Sequence, residues 1–273
     1  MNHRDALINS FAYRSFRDMA DGDYIAARAA YRAQLVPQFL WLSQQAIEKY
    51  LKCILLLNRI PATRVGHNLG KALGLIDAQA PFTLSLSESS RTFIVHVDTY
   101  GQCRYLETSF YVRDFDVIRL DRSVWDLRRY CTVLNYEMKL SNGKTVVALD
   151  IEIQKIKNSE LGAPKPFRLD GGRLEEVIDQ GDHPARPVLI WNNLFFGGRS
   201  RKGIRMRAFM SSTNSPLSMH PEIVDDLDAL VMLPKDVKLA CHSLLSAGSG
   251  QAQDNAMGVF RSLRPNVPEA PND

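Results

Sequence analysis

The chain has 273 residues, 45% of them hydrophobic, and carries 34 Lys and Arg against 30 Asp and Glu for a formal charge of +4. That length suits one large domain or two ordinary ones, with two the prior, and the hydrophobic share is what a packed protein needs. A balance so close to neutral excludes a chain that holds nucleic acid by the charge of its whole surface, so any basic site has to be local.

Cys53, Cys103, Cys131 and Cys241 stand far apart without paired spacing, three of them in apolar, helical segments. This pattern predicts reduced, packed thiols in a cytosolic protein rather than a disulfide framework or a zinc site. Met1 to Ala20 carries charge throughout and lacks the parts of a signal peptide. No stretch approaches the roughly 18 uninterrupted apolar residues that span a bilayer. The expectation is a cytoplasmic protein with no membrane association. No Walker-type or dinucleotide-binding glycine loop is present, and neither a cofactor nor a metal is expected.

From Asp5 to Arg32, Leu7, Phe11, Phe16, Met19, Ile25 and Tyr31 recur at helical spacing, and Asp21-Gly22-Asp23 predicts a bend between two helices. Pro37 to Asn58 carries a wide apolar stripe, with Pro37 suited to a first turn and Glu48 to Lys52 an i,i+4 pair. Asn58 to Gly66 reads as a loop, and Asn68 as the N-cap of a short helix through Asp77. Ser85 and Glu88 form a capping-box pattern, which predicts a helix from about Leu86 through Arg91 and His96 towards Tyr105.

Leu120 to Met138 is a further predicted helix. Ser141-Asn142-Gly143-Lys144 then signals a tight turn, and alternation of Leu149, Ile151 and Ile153 with Asp150, Glu152 and Gln154 predicts a half-buried strand. Phe167 to Ile178, around Asp170-Gly171-Gly172, reads as a hairpin or as a strand leading into a helix. Periodicity leaves Pro187 to Phe196 undecided and predicts a helix over Pro221 to Leu233. From Ser246 the composition predicts a mostly disordered tail.

The segment Ser43-Gln44-Gln45-Ala46-Ile47-Glu48-Lys49-Tyr50-Leu51-Lys52 resembles the signature helix of HEPN domains. In order after it, His67-Asn68-Leu69 is similar to the family's His-x-Leu entry to the next helix, and Arg104-Tyr105 to its Arg-Tyr element. The resemblance covers roughly Met19 to Tyr136, and Leu106 departs from the proline that commonly follows Arg-Tyr in the family. It implies an antiparallel helical bundle that dimerises and recognises RNA or a nucleotide, with Gln45, Glu48, Lys49, Lys52, Arg104 and Tyr105 as candidate ligand-facing residues. A solvated polar face accounts for the same residues of the signature helix.

Many HEPN domains are metal-independent ribonucleases built on an Arg, four to six intervening residues and a His, and Arg91 to His96 fits that spacing. Histidine exchanges protons near neutral pH, as deprotonating a ribose 2′-hydroxyl requires, and arginine supplies a fixed charge for a pentavalent phosphate. A five-residue step turns about 140° around a regular helix, so the pair converges only through an irregular helix or a partner subunit. The other reading of Arg91 and His96 is structural, or a non-catalytic binding face. His67 reads as a loop or capping residue.

Arg199, Arg201, Lys202, Arg205 and Arg207 follow Phe195-Phe196 and Gly197-Gly198, cations for phosphates beside aromatics for unpaired bases. A charged turn is the plainer account. Asp225, Asp226 and Asp228 lack the spacing of a calcium loop and read as acidic bias at a helix start.

The sequence therefore predicts a mainly α chain: a HEPN-like helical domain over 1–140, a smaller mixed α+β domain over 141–245, and a disordered tail over 246–273. The function implied by the resemblance is RNA- or nucleotide-associated. Three forms stay open: a metal-independent endoribonuclease of a toxin or defence system, a non-catalytic adaptor binding a nucleotide or a partner protein such as a nucleotidyltransferase, and a helical scaffold with no nucleic-acid role. A homodimer is expected for the first two.

Overall fold

In the computed structural model of the chain, the described residues are 3–63, 65–101, 109–159, 168–197, 203–204 and 210–246. The chain divides into two compact units, Met1–Gln102 with Val112–Ser211, and Cys103–Tyr111 with Ser212–Asp273. The sequence reading places its boundary near 140. The compact division instead leaves residues 149–196 in the same unit as the N-terminal helices.

The larger unit begins with α1 (His3–Ala12), a π-helical turn (Tyr13–Arg17) and α2 (Asp18–Arg32). The bend expected at Asp21-Gly22-Asp23 is absent, and the irregularity lies in the π turn just before α2. The Asp21 carboxylate is held by Tyr50, Arg128 and the Leu174 amide, so it does not compete for the backbone of its own helix.

Gln34, at φ 60, ends α2 with the Leu35 amide donating to Ala30 O, a left-handed helix stop that reverses the chain into α3 (Val36–Leu57). The two helices run antiparallel. Tyr31 near the end of α2 meets Phe39 near the start of α3, while Asp21 near the start of α2 accepts from Tyr50 further along α3. Phe39, Ile47, Leu51 and Ile54 are fully buried, each contributing about 1.5–3 kcal/mol by leaving water. α3 is the central helix of the unit and contacts α1, α2 and the π turn as well as the helices that follow it.

α4 (Leu69–Gln79) begins as the sequence predicts, with Asn68 Oδ1 accepting from the Lys71 amide at 2.7 Å. α5 (Glu88–Tyr100) starts two residues later than expected. Its N-cap is Ser87, not Ser85, because Asp126 of the following helix anchors both the Ser87 amide and hydroxyl at 2.9 Å. After β1 (Phe110–Arg113), α6 (Asp116–Arg128) packs on α3 and α5. It ends well short of Met138, since Glu137–Lys139 forms β2 and pairs antiparallel with β3 (Thr145–Val147) across the expected turn.

The strand expected over Leu149 to Gln154 is α7 (Leu149–Asn158). Leu149, Ile153 and Ile156 are spaced i, i+4, i+7, and only the helical register turns all three inward, with Ile156 buried and Ile151 exposed. The stretch after Gly172 is a helix, α8 (Arg173–Asp179), and the undecided run contains α9 (Arg186–Ile190) followed by a turn.

Two buried charge networks bind this second half of the unit to the first. Arg128 donates to Asp21 at 2.8 and 2.9 Å and to both oxygens of Glu175 at 2.8 and 2.7 Å. Gly172 is required there, because a Cβ would stand 2.6 Å from Arg128 Nη2 and closer still to Glu175 Oε2. Burial opposes the Arg128 charge, but Asp21 and Glu175 outweigh it and hold the guanidinium well above its ordinary pKa. In the second network Asp121 accepts from Arg28 and from Tyr24 at 2.7 Å, Arg28 also donates to the Val188 and Trp191 carbonyls, and Asn193 donates to Tyr24.

In the smaller unit, the end of β4 (Met210–Thr213) leads into α10 (Pro216–Met219), a 3-10 turn (Pro221–Ile223), α11 (Val224–Asp228) and α12 (Lys235–Ser246). The helix expected over Pro221 to Leu233 thus ends at Asp228, and Leu233 reaches the core from the following loop. Leu217, Val224, Leu233, Val237 and Cys241 form that core. Lys238 and His242 of α12 pair with Asp228 and Asp225 of α11. Cys53, Cys131 and Cys241 are buried free thiols. Cys103 and the expected tail beyond Ser246 lie outside the described residues. Among the described residues, no helix is long and apolar enough to cross a membrane.

Candidate functional site

The polar residues of α3 meet α4 and α5 at one junction. Gly101 makes it possible, since a Cβ there would stand 2.5 Å from Gln44 Cβ and 3.0 Å from Leu40 O, so the end of α5 lies directly against α3. One turn earlier, Asp98 accepts from the Leu69 and Gly70 amides at 3.0 and 3.3 Å and fixes the start of α4 to α5. His67 is carried into place just before that start.

Glu48 is the centre of this junction. Its carboxylate accepts from Lys52 Nζ at 2.6 Å, His67 Nδ1 at 2.9 Å and Gln44 Nε2 at 3.2 Å. Gln44 also donates to His67 O at 3.1 Å, and Gln45 donates to Gln44 Oε1 at 2.7 Å. Burial raises the Glu48 pKa, but hydrogen bonds from Lys52 and His67 outweigh that and leave it below the usual carboxylate range. Lys49 turns the other way and pairs with Asp23 of α2. The structure thus gathers Gln45, Glu48 and Lys52 into one network and separates Lys49 from it.

Because a carboxylate only accepts, His67 Nδ1 carries the proton in this pair, and Nε2 is left as an acceptor in the neutral ring or a donor in the charged one. The Glu48 side chain is 7% exposed and that of His67 63%. A sealed negative charge therefore sits beneath two donors that reach water, an arrangement able to orient Lys52 and His67 towards an anionic group.

Arg91 and His96 both lie on α5, which is one continuous α-helix across them. Arg91 is exposed, and His96 is half-buried between Phe93 and Tyr100, with ring centroids 6.2 and 5.0 Å away. The regular helix directs the two side chains about 140° apart, so one copy of α5 does not converge them on a single phosphate. Arg104, Tyr105, Arg199, Arg201, Lys202 and Arg205 lie outside the described residues.

Sequence reading missed three contributors. Gln44 is buried and links Glu48 to the His67 backbone, and its place beside Gln45 in the signature segment was the available signal. Asp98 acts on amides 29 and 28 positions away, for which no local pattern exists. His67, read as a loop or capping residue, does lie in the turn before α4, where it is also an ion-pair partner of Glu48, while the cap is Asn68.

Among family models, that of the HEPN domain matches residues 13–123, from the π turn into α6. The chain therefore contains a HEPN domain, in its N-terminal half. No curated protein and no solved structure matches the chain.

Proposed function

We propose that this HEPN-domain protein binds RNA or a nucleotide at the α3–α4–α5 junction, with Lys52 and His67 receiving a phosphate above the buried Glu48 carboxylate. The HEPN domain supports the ligand class, because the family is tied to ribonuclease and nucleotide-related roles. The observation that carries the reading is the Glu48 network, in which a buried acceptor holds two partly exposed donors side by side. Bound phosphate oxygens take over hydrogen bonds that water makes with these donors. In this form the protein is an adaptor, and a partner protein such as a nucleotidyltransferase fits the role. The test is binding of adenosine nucleotides and short RNAs by calorimetry to the wild type and to Lys52→Ala and His67→Ala. Loss of about tenfold in affinity in each variant is expected; unchanged affinity in both removes the proposal.

The second reading is a metal-independent endoribonuclease of a toxin or defence system using Arg91 and His96. What favours it is their common helix, α5, which carries an exposed Arg and a half-buried His, so that this mechanism takes its second group from another copy's α5. His96 then takes the proton of a ribose 2′-hydroxyl, the 2′-oxygen bonds to phosphorus, the P–O5′ bond breaks, the leaving 5′-oxygen takes a proton from water, and the His96 imidazolium returns its proton to the hydroxide so formed, giving a 2′,3′-cyclic phosphate. Arg91 from the other copy neutralises the phosphorane. Incubation with total cellular RNA, with and without EDTA, should give EDTA-resistant cleavage lost in Arg91→Ala and His96→Ala. Equal cleavage by both folded variants eliminates this mechanism.

A further inference from the structure

A second surface of the larger unit lies at the C-terminal end of α2, where three segments of chain are tied together. Arg28 donates to the Val188 and Trp191 carbonyls, and Arg32, one turn on, places its guanidinium over the Trp191 ring, 5.6 Å from the centroid. Between them Tyr31 donates to Asp114 O at 2.5 Å and pins the turn from Arg113, the last residue of β1, to Phe115. Arg28 and Tyr31 differ by only about 4.5 Å along the helix axis, so Trp191 and Phe115 hang from neighbouring turns. Phe115 is 54% exposed, an unusual setting for a residue that caps α6 without any polar role.

The charges here are layered. Asp116 and Asp126 have side chains 2% and 0% exposed, while their partners Arg119 and Arg122 keep 33% and 31%. Arg32 and Arg113 are exposed. Buried Asp116 and Asp126 beneath the more exposed Arg32, Arg113, Arg119 and Arg122 give a positive outer face, with the half-buried Asp114 set into it. Asn193 Oδ1 accepts from the Phe195 and Phe196 amides and fixes the turn just beyond Trp191.

We propose that this face binds single-stranded RNA, with Phe115 and the Arg32-capped Trp191 as stacking platforms and Arg32, Arg113 and Arg119 as phosphate contacts. An exposed aromatic beside guanidinium groups that reach water suits unpaired bases, whose faces are free, and not a duplex, whose bases are already stacked. The inference rests on the RNA side of the reading above and assigns it a different surface. Its ligand is longer than one nucleotide, because two platforms stack two bases.

The experiment is fluorescence anisotropy with a labelled 12-nucleotide mixed-sequence RNA, single-stranded and as its duplex, across a salt series. The wild type should prefer the single strand. Phe115→Ala should weaken it by roughly tenfold with an unchanged salt slope, and Arg32→Gln should weaken it while lowering the slope by about 0.7. Thermal melts establish that both variants fold. Equal binding of strand and duplex, or wild-type affinity in both variants, overturns the proposal. If Lys52→Ala abolishes binding and Phe115→Ala does not, the α3 junction alone holds RNA and this surface falls. If the wild type binds neither RNA form but retains a mononucleotide, the surface falls while the nucleotide-binding reading survives. A peptide or protein bound through Phe115 with no RNA affinity likewise overturns it.

Discussion

Two carboxylates, Asp21 and Glu48, each gather several donors, and the fold treats them in opposite ways. Asp21 accepts from Tyr50, Arg128 and the Leu174 amide in a setting where its own side chain is 0% exposed and that of Arg128 2%. Glu48 is nearly as sealed, but its partners Lys52 and His67 extend to 22% and 63% exposure. The difference lies in what can exchange. The Asp21–Arg128 pair is closed to solution and Glu175 is only 9% exposed, with no exposed donor among them, so the network works as a register pin holding α2, α6 and α8 together. The donors around Glu48 already share their hydrogen bonds with water and can share them with a ligand.

Removing the pin is the most severe way to test that contrast. Arg128→Met leaves Asp21 and Glu175 buried without their counter-charge, and a loss of about 3–5 kcal/mol is expected in urea unfolding. A loss below about 1 kcal/mol would show that the two carboxylates are not sealed. Gly172→Ala probes the same network by volume, since its Cβ must displace Arg128 or Glu175. About 1–3 kcal/mol is expected from overpacking, and a neutral result would mean the loop moves aside freely.

The smallest effect belongs to the open site. Glu48→Gln should cost about 1 kcal/mol near neutral pH, a figure discounted because Lys52 and His67 are partly solvated. The sign of its pH dependence follows from the depressed pKa of Glu48. Its contribution is present above the unfolded carboxylate value of about 4.3 and is lost as pH falls through the lower folded value. Glu175, depressed by Arg128 against the opposing effect of burial, behaves in the same direction. The wild type should therefore lose stability on acidification below that range, and Glu48→Gln should show a shallower acid slope in melts across pH 2–6. An identical slope would mean the Glu48 pairings do not persist in solution.

The HEPN match ends at 123, inside α6, and the partners that complete the buried networks stand beyond it: Arg128, Glu175, Asn193 and the Trp191 carbonyl. The matched helices are thus fastened by chain from outside the family segment. This is the physical reason that a boundary near 140 does not coincide with the compact division: α8, α9 and the turn after α9 supply a counter-charge to Arg128 of α6 and hydrogen-bond partners to Arg28 and Tyr24 of α2.

What sequence alone determined is local. The apolar stripe of α3 dictates a buried helix, Asn68 caps α4 through its own side chain, and Asn142-Gly143 closes the β2–β3 hairpin. The signature segment of α3 likewise pointed to the HEPN domain. Where two local patterns compete, as at Leu149 to Ile156, alternation and the helical period both fit, and burial against the rest of the unit selected the helix. Tertiary structure alone decided which charges became partners. Arg128 lies 107 positions from Asp21 and 47 from Glu175, and His67 19 from Glu48. Such pairings depend on which helix faces meet, because a Coulombic or hydrogen-bonded contact needs only closeness in space, and no spacing along the chain encodes it.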